Sequence, residues 1–462
     1  MGYLGIDLGT GGVRCLLVED DGAIRSESSQ KLGNRNLARE VGRSEQDPEE
    51  WVLALEDAMD HLFSDPAHRD VHAVAVDSTS GTVLPVSPDG NPLGRALMYD
   101  DMRATEEADR CGEVFGGRCS PTFSLPKIRW MQSHLDLPED VLFFHAADFV
   151  NSWLAGTPEI PTDFTNAMKT GVDPALGKWP SSLADLSLPE VVAPGRRIGF
   201  LSERHCKRWR LPREVVLVSG ATDSNAAFYA SGAASPGDWS TTVGTTMAFK
   251  GVSERKIEDP QARIYCHRHP DGSWLPGGAS NAGGEIVRRR FGNRIEEIEV
   301  RSREREETSH LIYPSVRQGE RLPFASSSFK PFCDGEEDDE VGFFLGCLEG
   351  LACLEALVFE LIESLGGVVG ENLYATGGGS RSRLSLQVRA DMLCKCIKIP
   401  AYPHSAMGAA ILAAAGFHGD PVGNWSRRMV KMSQVVEPES GRESYYRDRF
   451  LEFRARCHHS LL

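Results

Sequence analysis

The sequence predicts an α/β protein built as two similar domains, and three observations carry that expectation. The chain has 462 residues, enough for two domains that each bury a core. Short apolar runs rich in β-branched residues, Val71-His-Ala-Val-Ala-Val76 and Val215-Val-Leu-Val218, read as buried strands, and each delivers a turn carrying an aspartate, Asp77 or Asp223. Strand–turn–strand hairpins tipped by Gly9-Thr10 and by Gly244-Thr245 open two halves of similar length, the pattern of a duplicated fold. The expected boundaries are a first domain over 1–218, a second over 219–435 and a helical tail over 436–462.

The first hairpin runs from Tyr3 to Val18, with the tip Gly9-Thr10-Gly11-Gly12. Glycine leaves the backbone uncovered, so such a tip can bring N–H and hydroxyl groups close to phosphate oxygens. Gly244-Thr245-Thr246 offers the same chemistry in the second half. Asp7 ends the first strand, where a carboxylate can hold Mg²⁺ through water, since Mg²⁺ dehydrates reluctantly; a turn or cap aspartate is the alternative reading. Asp47-Pro48 opens an amphipathic helix, with Asp47 as its N-cap. The turn 77–81 stands at the carboxyl end of a strand, where ligands of α/β sheets collect. Asp223 opens a helix, and an aspartate there is commonly an N-cap for residues 225 or 226.

Further along, Gly277-Gly278 and Gly283-Gly284 read as turns that can touch a nucleotide, and the charged run 288–307 as a solvated helical face. The acidic run 334–340 lacks the regular oxygen spacing of a Ca²⁺ loop. The run 341–365 is a long apolar helix with too many glutamates for a membrane span. A strand ending in Gly377-Gly378-Gly379 before a helix lets a flat adenosine approach the backbone. The small-residue helix from Ser405 can pack closely behind that loop.

With 41% hydrophobic and 25% charged residues, the composition is that of an ordinary soluble domain. The net charge of −16 repels phosphate backbones and argues against a nucleic-acid partner. No apolar run is expected to reach spanning length, and the chain enters a strand directly after Met1, which argues against a signal peptide. Of eleven dispersed cysteines, with Cys394 and Cys396 the only close pair, most read as buried thiols of a reducing cytoplasm rather than a zinc site. The expected state is a monomer or homodimer.

Gly5-Ile-Asp-Leu-Gly-Thr10, the second Gly-Thr hairpin and the triple glycine together resemble the FGGY carbohydrate kinases, from Gly5 to about Gly416. The resemblance implies two actin-like (ribonuclease H-like) ATPase domains around a central cleft, with ATP and Mg²⁺ as cofactors. It makes Asp223 the catalytic base, Asp7 the metal and substrate carboxylate, and Thr10, Gly11, Gly12, Gly244 and Thr245 the phosphate loops. Gly378, Gly379 and Ser382 become the adenosine loop. The family motif Trp-Asn-Asp-x-Arg is matched by Tyr99-Asp100-Asp101-Met102-Arg103, which makes Asp101 a sugar ligand. Where many of these sugar kinases carry Gln-Met-His, this chain has Ser78-Thr-Ser80-Gly, and Ser80 is the candidate for a sugar hydroxyl, with a turn hydroxyl as the alternative. Asp77-Ser-Thr-Ser-Gly-Thr-Val-Leu and Gly277-Gly-Ala-Ser-Asn-Ala-Gly-Gly resemble the short D-ribulose kinase branch, which implies D-ribulose as acceptor. D-xylulose or another polyol, and a non-catalytic, nucleotide-gated actin-like module, are the rival readings.

Overall fold

A computed structural model describes residues 1–33, 42–117, 119–173, 175–336 and 338–461. The chain forms two compact units: Met1–Ala230 with Tyr402–Val430, and Ser231–Ala401 with Lys431–Leu462. This differs from a contiguous split at 218/219. Residues 219–230 stay with the first unit, and 402–430 return to it.

In the first unit, β1 (Gly2–Gly9), β2 (Gly12–Glu19), β3 (Ile24–Lys31), β4 (Val71–Ser78), β5 (Arg197–Phe200) and β6 (Val216–Val218) form a six-stranded sheet in the order β5-β6-β4-β1-β2-β3. β1, β2 and β3 are antiparallel, while β4 runs parallel to β1 and β6 parallel to β4. One face is covered by the helix Pro48–Leu62, which buries Trp51, Leu55, Met59 and Leu62 against β2 and β3. Asp47 caps this helix, accepting from the Glu49 N–H at 3.0 Å.

Another layer is the helix Ser405–His418, which packs on β1, β4 and the helix Asp223–Tyr229. Its small residues are required by that packing. A Cβ on Gly5 would lie 1.8 Å from the Ala406 carbonyl oxygen, and one on Gly408 1.8 Å from that of Ala226. The expectation that this helix backs the triple-glycine loop is therefore corrected: it backs the first hairpin and the Asp223 helix.

In the second unit, β7 (Trp239–Val243), β8 (Met247–Gly251), β9 (Tyr265–Arg268), β10 (Trp274–Ala279), β11 (Asn372–Thr376), β12 (Cys396–Pro400) and β13 (Met432–Val436) form a sheet in the order β9-β10-β8-β7-β11-β12-β13. Here again an antiparallel trio, β10-β8-β7, is followed by strands in parallel, β11 beside β7 and β12 beside β11. The helix Glu340–Ser364 is long and apolar enough to cross a membrane by length and composition alone, contrary to the sequence expectation. Its apolar window is 89% buried within the protein, which makes it a core helix. The helix Glu443–Leu461 docks on it through Arg449, bonded to Glu349 at 2.8 Å, and through the fully buried Phe453. Of the acidic run 334–340, Glu337 lies outside the described residues.

Candidate active site

The first unit gathers three aspartates at the carboxyl ends of neighbouring strands. Asp7 on β1 is the register partner of Asp77 on β4. Beyond β4, Ser78 bridges in parallel to Thr222, the residue before Asp223. Gly220 makes this approach possible, since a Cβ there would lie 1.8 Å from the Val76 carbonyl oxygen. Thr222 is anchored in turn: its N–H donates to Thr165 Oγ1 at 2.9 Å, and the Thr165 hydroxyl donates to the buried Asp163.

Asp223 is the first residue of its helix, and the N-cap position belongs to Thr222. Its carboxylate accepts from the adjacent Ser224 N–H at 2.6 Å. Asp77 is fully buried, and among the described residues no N–H or hydroxyl reaches either of its oxygens. Burial, then the charges of Asp7 and Asp223, hold its pKa well above the usual carboxylate range. Among the described residues its hydrogen-bond partner is the Asp7 carboxyl, and that bond needs a proton on one of the two acids.

The turn after β4 is held from two sides by lysines. Lys127, completely buried, donates to the carbonyl oxygens of Gly81, at 3.0 Å, and Met98. Burial lowers its pKa to about 7. Lys169 donates to the Ser80 carbonyl oxygen at 2.8 Å. The Ser80 side chain is half-buried.

Asp101 does not offer an oxygen to a ligand. It is completely buried and accepts from the Ser44 N–H at 2.7 Å, from the Arg103 N–H at 3.1 Å, and from the Arg103 guanidinium at 2.9 and 2.8 Å. Those bonds fill its acceptor positions, so the expectation of a direct sugar contact is corrected. Arg103 is fixed instead, with Glu45 2.6 Å away as its second partner.

The tip of the first hairpin is fixed from below and open above. Gln46 donates to the Thr10 carbonyl oxygen at 2.7 Å while accepting from Trp51 Nε1 at 2.8 Å, tying the tip to the core. Gly12 is required by the sheet, because a Cβ there would meet the Gln30 carbonyl oxygen at 2.4 Å. Gly11 is different: no atom lies within 4 Å of an added Cβ, and its backbone angle is not left-handed.

In the second unit, the tip Gly244-Thr245 is exposed and rests on the turn that follows β10. The Gly284 N–H donates to the Gly244 carbonyl oxygen at 2.9 Å, and the Met247 N–H to that of Ala282 at 2.7 Å. Glu320 holds that turn, accepting from Ser280 Oγ, the Asn281 N–H and Tyr313 at 2.8, 2.7 and 2.6 Å. Gly277 and Gly278 lie inside β10, where Phe249, Tyr265 and Leu322 leave no room for a Cβ. The fold itself therefore requires both glycines. Arg288, expected on a solvated face, reaches back to 3.5 Å from Thr245 Oγ1.

The triple glycine divides in the same way. Gly377 has a φ of +81°, and a Cβ on Gly379 would fall 2.7 Å from Val243, so the fold demands both. Gly378 has neither constraint. Ser382 caps the helix Arg383–Leu393 by accepting from the Ser385 N–H at 3.1 Å, which leaves its O–H donor for another partner.

Comparison with known proteins decides the family. Residues 2–229 match the N-terminal domain of the FGGY family of carbohydrate kinases, and residues 240–417 match its C-terminal domain. The chain belongs to the FGGY family of carbohydrate kinases.

Among its relatives, a xylulose kinase of Bacillus subtilis is 26% identical over 89% of this chain and 88% of its own. One from Staphylococcus epidermidis is 24% identical over 98% and 95%. Among solved structures, a xylulose kinase from Brucella ovis superposes with a TM-score of 0.87 at 22% identity, covering all of both chains. A Plasmodium falciparum glycerol kinase with ADP gives 0.84 at 16% identity, over 100% of this chain and 98% of its own. The fold is thus the two-domain, actin-like fold of FGGY kinases, and the chain is a phosphotransferase of sugars that uses ATP.

Within this FGGY kinase the first unit brings together Asp7, Thr10–Gly12, Ser80 and Asp223, and the second presents Gly244, Thr245 and Gly378. The sequence marked Asp77 only as the aspartate that ends a buried strand and gave it no role, and it carried no signal for the contacts of Lys169 and Arg288, whose partners are distant in sequence.

Proposed function

We propose that this chain transfers the γ-phosphoryl group of ATP to the terminal hydroxyl of a ketopentose. The observation that carries the reading is the convergence of Asp7, Asp77 and Asp223 at adjacent strand ends, in the unit that also holds the open Gly9–Gly12 tip and the Ser80 turn. Asp223 orients the acceptor hydroxyl and takes its proton as the oxygen attacks phosphorus, the role phosphoryl transfer leaves to the protein. Thr10 to Gly12 and Gly244 with Thr245 supply N–H and hydroxyl donors for the phosphates, and Gly378 lets the adenosine approach the backbone.

Mg²⁺ takes hard oxygen ligands and keeps several of its waters. Asp7 and Asp77 fit it: two neighbouring carboxyls, one with no N–H or hydroxyl partner. Among the described residues no group of three or more His, Cys, Asp or Glu closes a full cage. The fit is therefore to an ion held by one or two carboxylates, water and nucleotide oxygens. Such an ion neutralises charge on the transferring phosphoryl group.

For the acceptor, the names of the relatives favour D-xylulose. The turn 77–81, which lacks Gln-Met-His, favours D-ribulose, and both stay in the reading as ketopentoses. All eleven cysteines are free thiols, in keeping with a reducing cytoplasm.

The test is coupled ADP release over D-xylulose, D-ribulose, pentitols, glycerol and gluconate, with Asp223→Asn beside the wild type. The expectation is ketopentose-dependent release that falls by at least ~10²-fold in the variant while ATP binding persists. A fully active Asp223→Asn protein removes Asp223 from catalysis. ADP release that no sugar stimulates removes the kinase reading.

A further inference from the structure

Two lysines hold the turn after β4, and they are not equivalent. A lysine ammonium has three donors and no acceptor. Lys127 is completely buried and directs its donors into the fold, onto the carbonyls of Gly81 and Met98. Lys169, on the short turn Met168–Thr170, is half-buried and donates to one carbonyl, that of Ser80, at 2.8 Å. Its ammonium stands 5.9 Å from the Phe123 ring centre, which walls one side with apolar surface. Burial lowers its pKa, and the charge of Asp223 opposes that drop, so the ammonium and the candidate base feel one another.

The turn is shaped around this side chain. Gly81 has a φ of +94°, and an added Cβ would fall 2.9 Å from Lys169 Cδ and 3.3 Å from Nζ. Among the described residues no carboxylate forms an ion pair with Lys169, so two of its donors stay uncommitted beside the Ser80 turn.

Building on the kinase reading, we propose that Lys169 is a further acceptor-binding residue, whose ammonium donates to an oxygen of the bound ketopentose at the Ser80 turn. The chemistry is complementary. Asp223 accepts and does not donate when ionised, so it suits the hydroxyl that gives up its proton. A ketose carbonyl accepts and cannot donate, so it suits a group that donates and cannot accept. A site built to hydrogen-bond a substrate oxygen discriminates strongly once one of its members is removed.

The experiment uses the full chain with Lys169→Met and Lys169→Arg, measuring ADP release against the preferred ketopentose and against ATP separately, with thermal melts of each. Lys169→Met is expected to raise the ketopentose KM by about tenfold or more, with the ATP KM close to wild type. Lys169→Arg, which keeps the charge and the aliphatic stem, recovers part of that loss; it carries the test alone if the methionine variant does not fold, as a sugar KM changed against a constant ATP KM. A ketopentose KM unchanged in both variants overturns the proposal. So does an equal rise in both KM values, which marks a collapsed turn rather than a lost contact. A wild-type chain without sugar-stimulated ADP release overturns the kinase reading itself, an outcome no Lys169 variant can imitate.

Discussion

Because both sheets place an antiparallel trio ahead of strands in parallel, the same positions can be compared in the two units. Aligning Gly9-Thr10 with Gly244-Thr245 sets Asp7 opposite Thr242. The partner of Asp7 across the parallel pair is Asp77, and the partner of Thr242 is Thr376. One unit thus carries two carboxyls where the other carries two hydroxyls, bonded to each other at 2.6 Å. Two hydroxyls satisfy one another in any protonation state. Two carboxyls beside each other, one with no other partner, are satisfied only by a proton or a cation. On the proposed reading, the ion and the acceptor chemistry belong to the carboxyl pair of the first unit, and the hydroxyl pair of the second carries neither.

The strongest way to break that division is to neutralise each position in turn. Asp7→Asn is expected to cut sugar phosphorylation by roughly 10²-fold or more, as for loss of a metal-holding carboxylate. Stability should be unchanged or slightly higher, because a charge beside the buried Asp77 is gone. Thr242→Val is expected to lose no more than about 1 kcal/mol of stability, one half-buried hydroxyl bond, with activity near wild type. Kinetics and denaturant melts on both variants decide it. A Thr242→Val protein as inactive as Asp7→Asn would show that the halves do not divide the work this way.

A smaller effect is expected at the second tip. Thr245 is exposed, and among the described contacts only Arg288 approaches its hydroxyl, at 3.5 Å, so the fold asks little of it. Thr245→Val should leave the melting temperature alone and lower kcat/KM for ATP by about 1–3 kcal/mol, the range for an unmatched polar contact. Wild-type kinetics would remove the β7–β8 tip from the nucleotide site.

What was legible in the sequence follows the same line. The hairpins, Asp7 and Asp223 were readable because each sits inside a local pattern of strand, glycine turn and strand or helix. The grouping of Asp223 with the first unit was not, since it depends on β6 adding in parallel to β4, a pairing of residues far apart in the chain. Asp101 was misread for a related reason. Its type fits a ligand, but Ser44 and Arg103 claim its oxygens. The helix from Ser405 was read with its sequence neighbour, the triple glycine, whereas its glycines answer to Gly5 and Ala226.

The smallest expected effects separate what the fold needs from what a ligand needs. Gly11 and Gly378 have neither a left-handed backbone angle nor any atom within 4 Å of an added Cβ. One lies at the tip between β1 and β2, the other in the loop after β11, so each unit has such a position. If only the fold mattered, alanine would be tolerated at both. Gly11→Ala and Gly378→Ala should therefore change stability by no more than ~0.5 kcal/mol, as surface substitutions do. Gly379→Ala is the contrast, because its Cβ would fall 2.7 Å from Val243; overpacking there should cost about 1–3 kcal/mol. A nucleotide that approaches the bare backbone at Gly11 and Gly378 meets the new methyl group, so the ATP KM should rise in both alanine variants, more at Gly11, where phosphate needs the closer approach. An unchanged ATP KM at both positions would mean that their openness is ordinary solvent exposure, and the two loops would lose their place in the nucleotide site.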